Sequence, residues 1–132
     1  MSSILVDNLT GKTTAGSVTV TSEGGAATMQ LQQGLAKAWA QQDGATAAAQ
    51  DSFNVTSITD EATGSASFTM ANVMSNSNFS ATALTGYKAA GSVEAATLRE
   101  LTASKVRIRN TNISGSDRDP GTYCSTVQGD LA

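Results

Sequence analysis

Apolar and polar residues alternate along much of this chain, and the clearest alternation lies between Ser52 and Met70. Phe53, Val55 and Ser57 fall on one face of an extended strand, with Asn54 and Thr56 on the other. Asp60-Glu61-Ala62-Thr63-Gly64 is a polar stretch ending in Gly, after which Ala66, Phe68 and Met70 resume the alternation. Two period-2 runs joined by a short Gly-containing loop predict a β-hairpin. Ile58 breaks the phase. It marks either a bulge or a place where the second face is also covered, for instance by another subunit.

Other segments repeat the pattern. Leu35–Gln42 reads as a strand ending in an Asp43-Gly44 turn, with Trp39 as its core anchor. Thr46–Gln50 fits an edge strand or a loop. Phe79, Ala81 and Ala83 line one face of a further strand. Val106, Ile108 and Asn110 alternate with Lys105, Arg107 and Arg109, which predicts a strand with a basic outer face. Tyr123, Ser125 and Val127 form the last alternating run. Thr97–Leu101 fits a strand or a helical turn. The Asn and Ser cluster at 71–78, residues 86–94 and residues 112–121 read as connections. Seven or eight short strands with regular turns predict an all-β, antiparallel β-sandwich, jelly-roll-like, over residues 35–132.

Residues 1–34 differ. Ile4-Leu5-Val6, then Val18 and Val20, then Met29 and Leu31 are short apolar signals separated by turn residues and by Gly24-Gly25. They carry too little apolar surface for stability on their own. Either they form an arm that docks or intertwines, with Ile4, Leu5, Val6, Val18 and Val20 as assembly contacts, or they supply edge strands to the main domain.

Composition sharpens this picture. Leu, Ile, Val and Phe make up 23 of 132 residues, while Ala, Ser, Thr and Gly dominate. So thin a core is often completed by oligomerisation. The chain contains no His, which rules out Ser-His-Asp and Cys-His nucleophile sites within one chain and Cys/His zinc sites. Its single cysteine, Cys124, reads as a small buried apolar residue. Asp60/Glu61 and Asp117/Asp119 are the carboxylate pairs that glycosidase or Ca²⁺ chemistry would need, but turn geometry already accounts for them. No catalytic residue, metal site or cofactor is expected. Net charge is −3 and the eight basic residues are scattered, so nucleic acid is not an expected partner. No apolar run is long enough to span a bilayer, and no secretory leader is expected. Tyr87 and Lys88, in the 86–94 connection, are candidate surface-binding residues.

Lys37-Ala38-Trp39, the block Asp51–Asp60 with Thr63-Gly64, Asn78-Phe79 and Val127-Gln128-Gly129-Asp130 together resemble a module of short tail-fibre-like structural proteins of tailed, often marine, bacteriophages. Ser3–Asp7 is similar to the opening of such proteins. The resemblance covers most of the chain in patches. Where relatives carry a bulkier Val and a Phe after the Lys-Ala-Trp, this chain has Ala40, Gln41 and Gln42. The resemblance implies a virion component assembled in the host cytoplasm, a homo-oligomer with a trimer as the expected state. Its expected neighbours are other virion proteins, a tail adaptor or nozzle or the major capsid protein. Capsid decoration and a host-surface glycan-binding tip are the alternatives.

Overall fold

The computed structural model describes residues 4–12, 18–25, 27–86 and 93–132. The chain divides into two compact units, Met1–Leu35 and Ala36–Ala132.

The first unit contains two three-residue strands, β1 (Thr19–Thr21) and β2 (Thr28–Gln30), paired antiparallel with Val20 opposite Met29. One helical turn, α1 (Leu31–Gly34), follows, so Leu31 does not continue the strand alternation expected of it. The hairpin closes through Ser22 N–H to Ala27 C=O at 2.8 Å and Leu31 N–H to Val18 C=O at 2.8 Å.

The second unit holds eight strands: β3 (Ala36–Asp43), β4 (Ala49–Phe53), β5 (Val55–Ala62), β6 (Ser65–Met70), β7 (Ser80–Gly86), β8 (Glu94–Leu101), β9 (Lys105–Asn112) and β10 (Thr122–Gln128). They form two four-stranded antiparallel sheets, ordered β4-β3-β10-β7 and β5-β6-β9-β8. The fold is all-β, as the alternation predicts. The first and last strands of this unit, β3 and β10, pair with each other, and β3–β4, β5–β6 and β8–β9 are hairpin neighbours.

The two sheets contribute unequally to the core. The β5-β6-β9-β8 sheet brings the bulk: Phe68, Met70, Val106 and Ile108, all at most 2% exposed. The opposite sheet brings Ala38, Ala40 and Val127, with Tyr123 at one end. Small residues facing large ones let two thin sheets pack closely, which is how a chain this poor in Leu, Ile, Val and Phe still closes a core.

The predicted hairpin exists but is displaced. Phe53 ends β4 and Val55 begins β5, so the expected first strand is split between the two sheets at Asn54. The turn is Thr63-Gly64, two residues rather than five, because β5 runs on to Ala62. Ile58 lies opposite Phe68, and the register shifts between Val55 and Ser57. That bulge restores Ile58 to the core face, the first of the two readings of its broken phase. Thr97–Leu101 is strand, within β8, and Glu94 opens that strand instead of closing a loop. The 71–78 connection is irregular as expected, and one bridge, Met74 to Leu131, ties the chain's end to it.

Candidate functional site

The arm residues named as assembly contacts are exposed. Ile4 is 85% accessible, Leu5 93%, Val6 60% and Val20 45%, while Val18 is half-buried. Leu9 and Met29 are exposed as well. Val20 and Met29, opposite each other, help to line a shallow groove of about 230 Å³ along the hairpin. The other two candidates, Tyr87 and Lys88, lie outside the described residues.

The sandwich presents two very different outer faces. On β5-β6-β9-β8 each basic side chain of the β9 row has a side-chain partner, two of them carboxylates. Lys105 Nζ lies 2.6 Å from Glu61 Oε1, which also accepts a 2.7 Å bond from the Ser67 hydroxyl. Arg107 Nε donates to Ser65 Oγ at 2.9 Å, and Arg109 Nε pairs with Asp117 at 2.5 Å. The hydrogen bonds from Lys105 and Ser67 hold the Glu61 carboxyl below the ordinary glutamate range. Two of the three basic side chains of β9 are thus paired with carboxylates and the third with a hydroxyl.

The β4-β3-β10-β7 face is nearly free of charge. One cross-strand row runs Phe53, Trp39, Thr126, Thr82. The next runs Asp51, Gln41, Cys124, Leu84. Trp39 is therefore not the core anchor expected of it. The inward positions of β3 are Ala38, Ala40 and Gln42, and the strand's twofold alternation puts Trp39 outside, half-buried. Cys124 likewise faces outward and is half-buried instead of lying in the core. Phe53 is 54% exposed and Leu84 67%. Between Trp39 and Leu84 lies a shallow groove of about 270 Å³, with Gln41, Thr82 and Thr126 on its rim.

Three of the four carboxylates considered for catalysis or Ca²⁺ are engaged structurally, and the fourth, Asp60, is exposed on β5. Asp119 accepts the Gly64 backbone N–H at 2.6 Å, Asp117 pairs with Arg109, and Glu61 pairs with Lys105. Among the described residues no group of three or more His, Cys, Asp or Glu side chains is placed to hold a metal. No helix among them is long and apolar enough to cross a membrane.

Asn54 and Gln42 had no strong sequence signal, whereas Asn110 is buried on the face of β9 where the alternation with Val106 and Ile108 puts it. Asn54, expected on the polar side of a strand, sits at φ +57° at the crossover between sheets. Its Oδ1 accepts Asn72 N–H at 2.6 Å, and its Nδ2 donates to Lys37 C=O at 2.8 Å and Asn72 C=O at 3.0 Å. Gln42 and Asn110 are fully buried at one end of the sandwich, where Gln42 lies opposite Tyr123. Asn110 Nδ2 donates to Glu94 Oε2 at 3.0 Å and Arg118 C=O at 2.8 Å. Burial, with the acidic groups nearby, pushes the Tyr123 phenol above its ordinary range.

No protein-family model, curated protein or solved structure matches this chain.

Proposed function

We propose that this chain is a non-enzymatic structural subunit of a tailed-phage particle. It forms a tail-fibre-like or similar appendage, assembled as a symmetric homo-oligomer with a trimer as the expected state. One observation carries the reading: the arm places Ile4, Leu5 and Val6 in solvent at 60–93% exposure, while the sandwich closes its core without them. A two-stranded hairpin of three-residue strands is marginal on its own. Burying each of those side chains against a partner is worth roughly 1.5–3 kcal/mol. Contiguous exposed apolar residues of this kind mark contact surfaces. Resemblance to tail-fibre-like proteins supplies the particle class.

Light scattering across a dilution series tests the reading. A mass three times that of the chain, held on dilution, supports it. A folded monomer at every concentration overturns the oligomer. Location on the particle is then read by electron cryomicroscopy of virions. Density at a tail adaptor or nozzle keeps the appendage assignment, and density on the capsid shell at its three-fold positions replaces it with decoration.

A further inference from the structure

Polar side chains are buried between the two sheets at one end of the sandwich. β3 ends there at Asp43 and β10 begins at Thr122, while β9 ends at Asn112 and β8 begins at Glu94. Residues 113–121 carry the chain from β9 to β10 at the same end. One sheet contributes Gln42 and Tyr123, which lie opposite each other, and Ser125, the next inward residue of β10. The other contributes Asn110 and Glu94, joined by the 3.0 Å bond from Asn110 Nδ2 to Glu94 Oε2. Gln42, Asn110 and Tyr123 are fully buried. Burial, then the charges of Asp119, Asp60 and Glu94, pushes the Tyr123 phenol up, so the Glu94 carboxylate lies within electrostatic reach of it.

Six side-chain atoms of this cluster are buried with no hydrogen-bond partner among the described residues: Gln42 Nε2 and Oε1, Glu94 Oε1, Asn110 Oδ1 and the hydroxyls of Tyr123 and Ser125. Six such atoms left bare would cost about as much as the whole net stability of a domain. Their chemistry narrows what satisfies them. Gln42 Nε2 can only donate, the Asn110 and Glu94 oxygens only accept, and the two hydroxyls do either. A metal cation would serve the oxygens and leave the Gln42 N–H groups unbonded. The charge of Glu94 is moreover balanced already, since its Oε1 lies 3.9 Å from Arg118 Nε. An anion would be repelled by Glu94. An organic molecule would need a way in, and these atoms have almost no surface exposed to solvent. Water is neutral, both donates and accepts, and is small enough to sit among them.

We propose that this end of the sandwich binds a cluster of internal water molecules, about two at three hydrogen bonds each, which tie Gln42 and Tyr123 of one sheet to Asn110 and Glu94 of the other. The waters join the sheets by polar contact where the chain passes from β9 to β10, and Phe68, Val106, Ile108 and Val127 join them by apolar contact along the rest of the core. All of these residues belong to the second unit, so the inference stands beside the assembly reading and does not depend on it.

Two substitutions test the cluster without emptying the core. Tyr123→Phe removes one hydroxyl, and Gln42→Met replaces the amide with an apolar group of similar length. Oxygen-17 magnetic relaxation dispersion of the full chain counts water molecules held for longer than the protein takes to tumble. The double variant is expected to lose about two such waters relative to the natural sequence. Each single variant is expected to melt about 3 °C or more lower, because the waters and the remaining side chains lose a partner. An unchanged dispersion amplitude overturns the proposal. Equal or higher melting temperatures in both variants do so too, since they would mean that the polar groups had been bare and that their removal relieves the fold. A melting temperature that Ca²⁺ raises over a chelator in the natural sequence, and not in the double variant, also overturns it and puts a cation in place of the waters.

Discussion

Asn54 shows how a single side chain can fix a crossover. A residue at φ +57° costs roughly 1–2 kcal/mol unless it is Gly, Asn or Asp. Asn meets the backbone requirement, and its amide then joins three places: the crossover itself, β3 through the Lys37 carbonyl, and the 71–74 connection through Asn72. Asn54→Ala should therefore lose both the tolerated backbone geometry and the bonds, about 2–4 kcal/mol in chemical denaturation. Asn54→Gly keeps the backbone freedom and should lose distinctly less. Equal losses would mean that the left-handed geometry contributes nothing. In the sequence Asn54 is only one more polar residue between Phe53 and Val55, because local alternation carries no mark of a change of sheet. Gln42 was hidden differently: in a strand whose inward neighbours are alanines, a long amide at the next inward position reads as surface.

Glu61 ties a residue to the pH response. Its folded-state carboxyl titrates below the ordinary glutamate range because Lys105 and Ser67 bind the charged form. Its contribution is thus present above the unfolded glutamate value and is lost as pH falls through the lower folded value. The carboxylate is partly solvated, so the effect is about 1 kcal/mol or less. Glu61→Gln should flatten part of the stability loss on acidification below about pH 4.5. Parallel acid titrations of the two proteins, followed by circular dichroism, check this, and superimposable curves would count against it.

At the scale of elements, the β5–β6 hairpin depends on its turn. Gly64 has φ +70°, and a Cβ there would lie 2.6 Å from the Arg118 backbone N and 2.7 Å from the Asn110 carbonyl O. The same residue accepts Asn110 N–H at 2.7 Å and donates its own N–H to Asp119. The turn is in this way locked against the 110–119 segment by groups that cannot give way. Gly64→Ala should cost several kcal/mol, more than the roughly 1–2 kcal/mol of left-handed strain alone, read as a fall in melting temperature. A loss no greater than the strain would show that the 110–119 loop relaxes freely. The existence of this hairpin was legible from Ala66, Phe68 and Met70. Its loop length was not, because a register shift between Asp60 and Ala62 carries the strand through residues that look like turn material. Trp39 was misplaced for a related reason. Alternation groups residues into two faces, but it does not say which face is inside when one of them consists of alanines.

At the scale of the whole molecule, the core cluster of the sandwich contains no arm residue, so the assembly reading can be tested apart from the core. Ile4, Leu5 and Val6 are already in solvent in the isolated chain, so replacing all three with Ser removes nothing from the sandwich core. If the arm holds the copies together, the triple variant should scatter as a monomer at concentrations where the natural sequence is a trimer. Its sandwich should still give the same far-ultraviolet spectrum and cooperative melting, since Phe68, Val106, Ile108 and Tyr123 are untouched. Concentration dependence should change as well: the natural protein's melting temperature rises with protein concentration through the coupled association, and the variant's does not. A variant that remains a trimer would move the contact from the arm to the sandwich. Phe53 of β4 and Leu84 of β7, exposed apolar side chains of the sandwich, would then be the first residues to substitute.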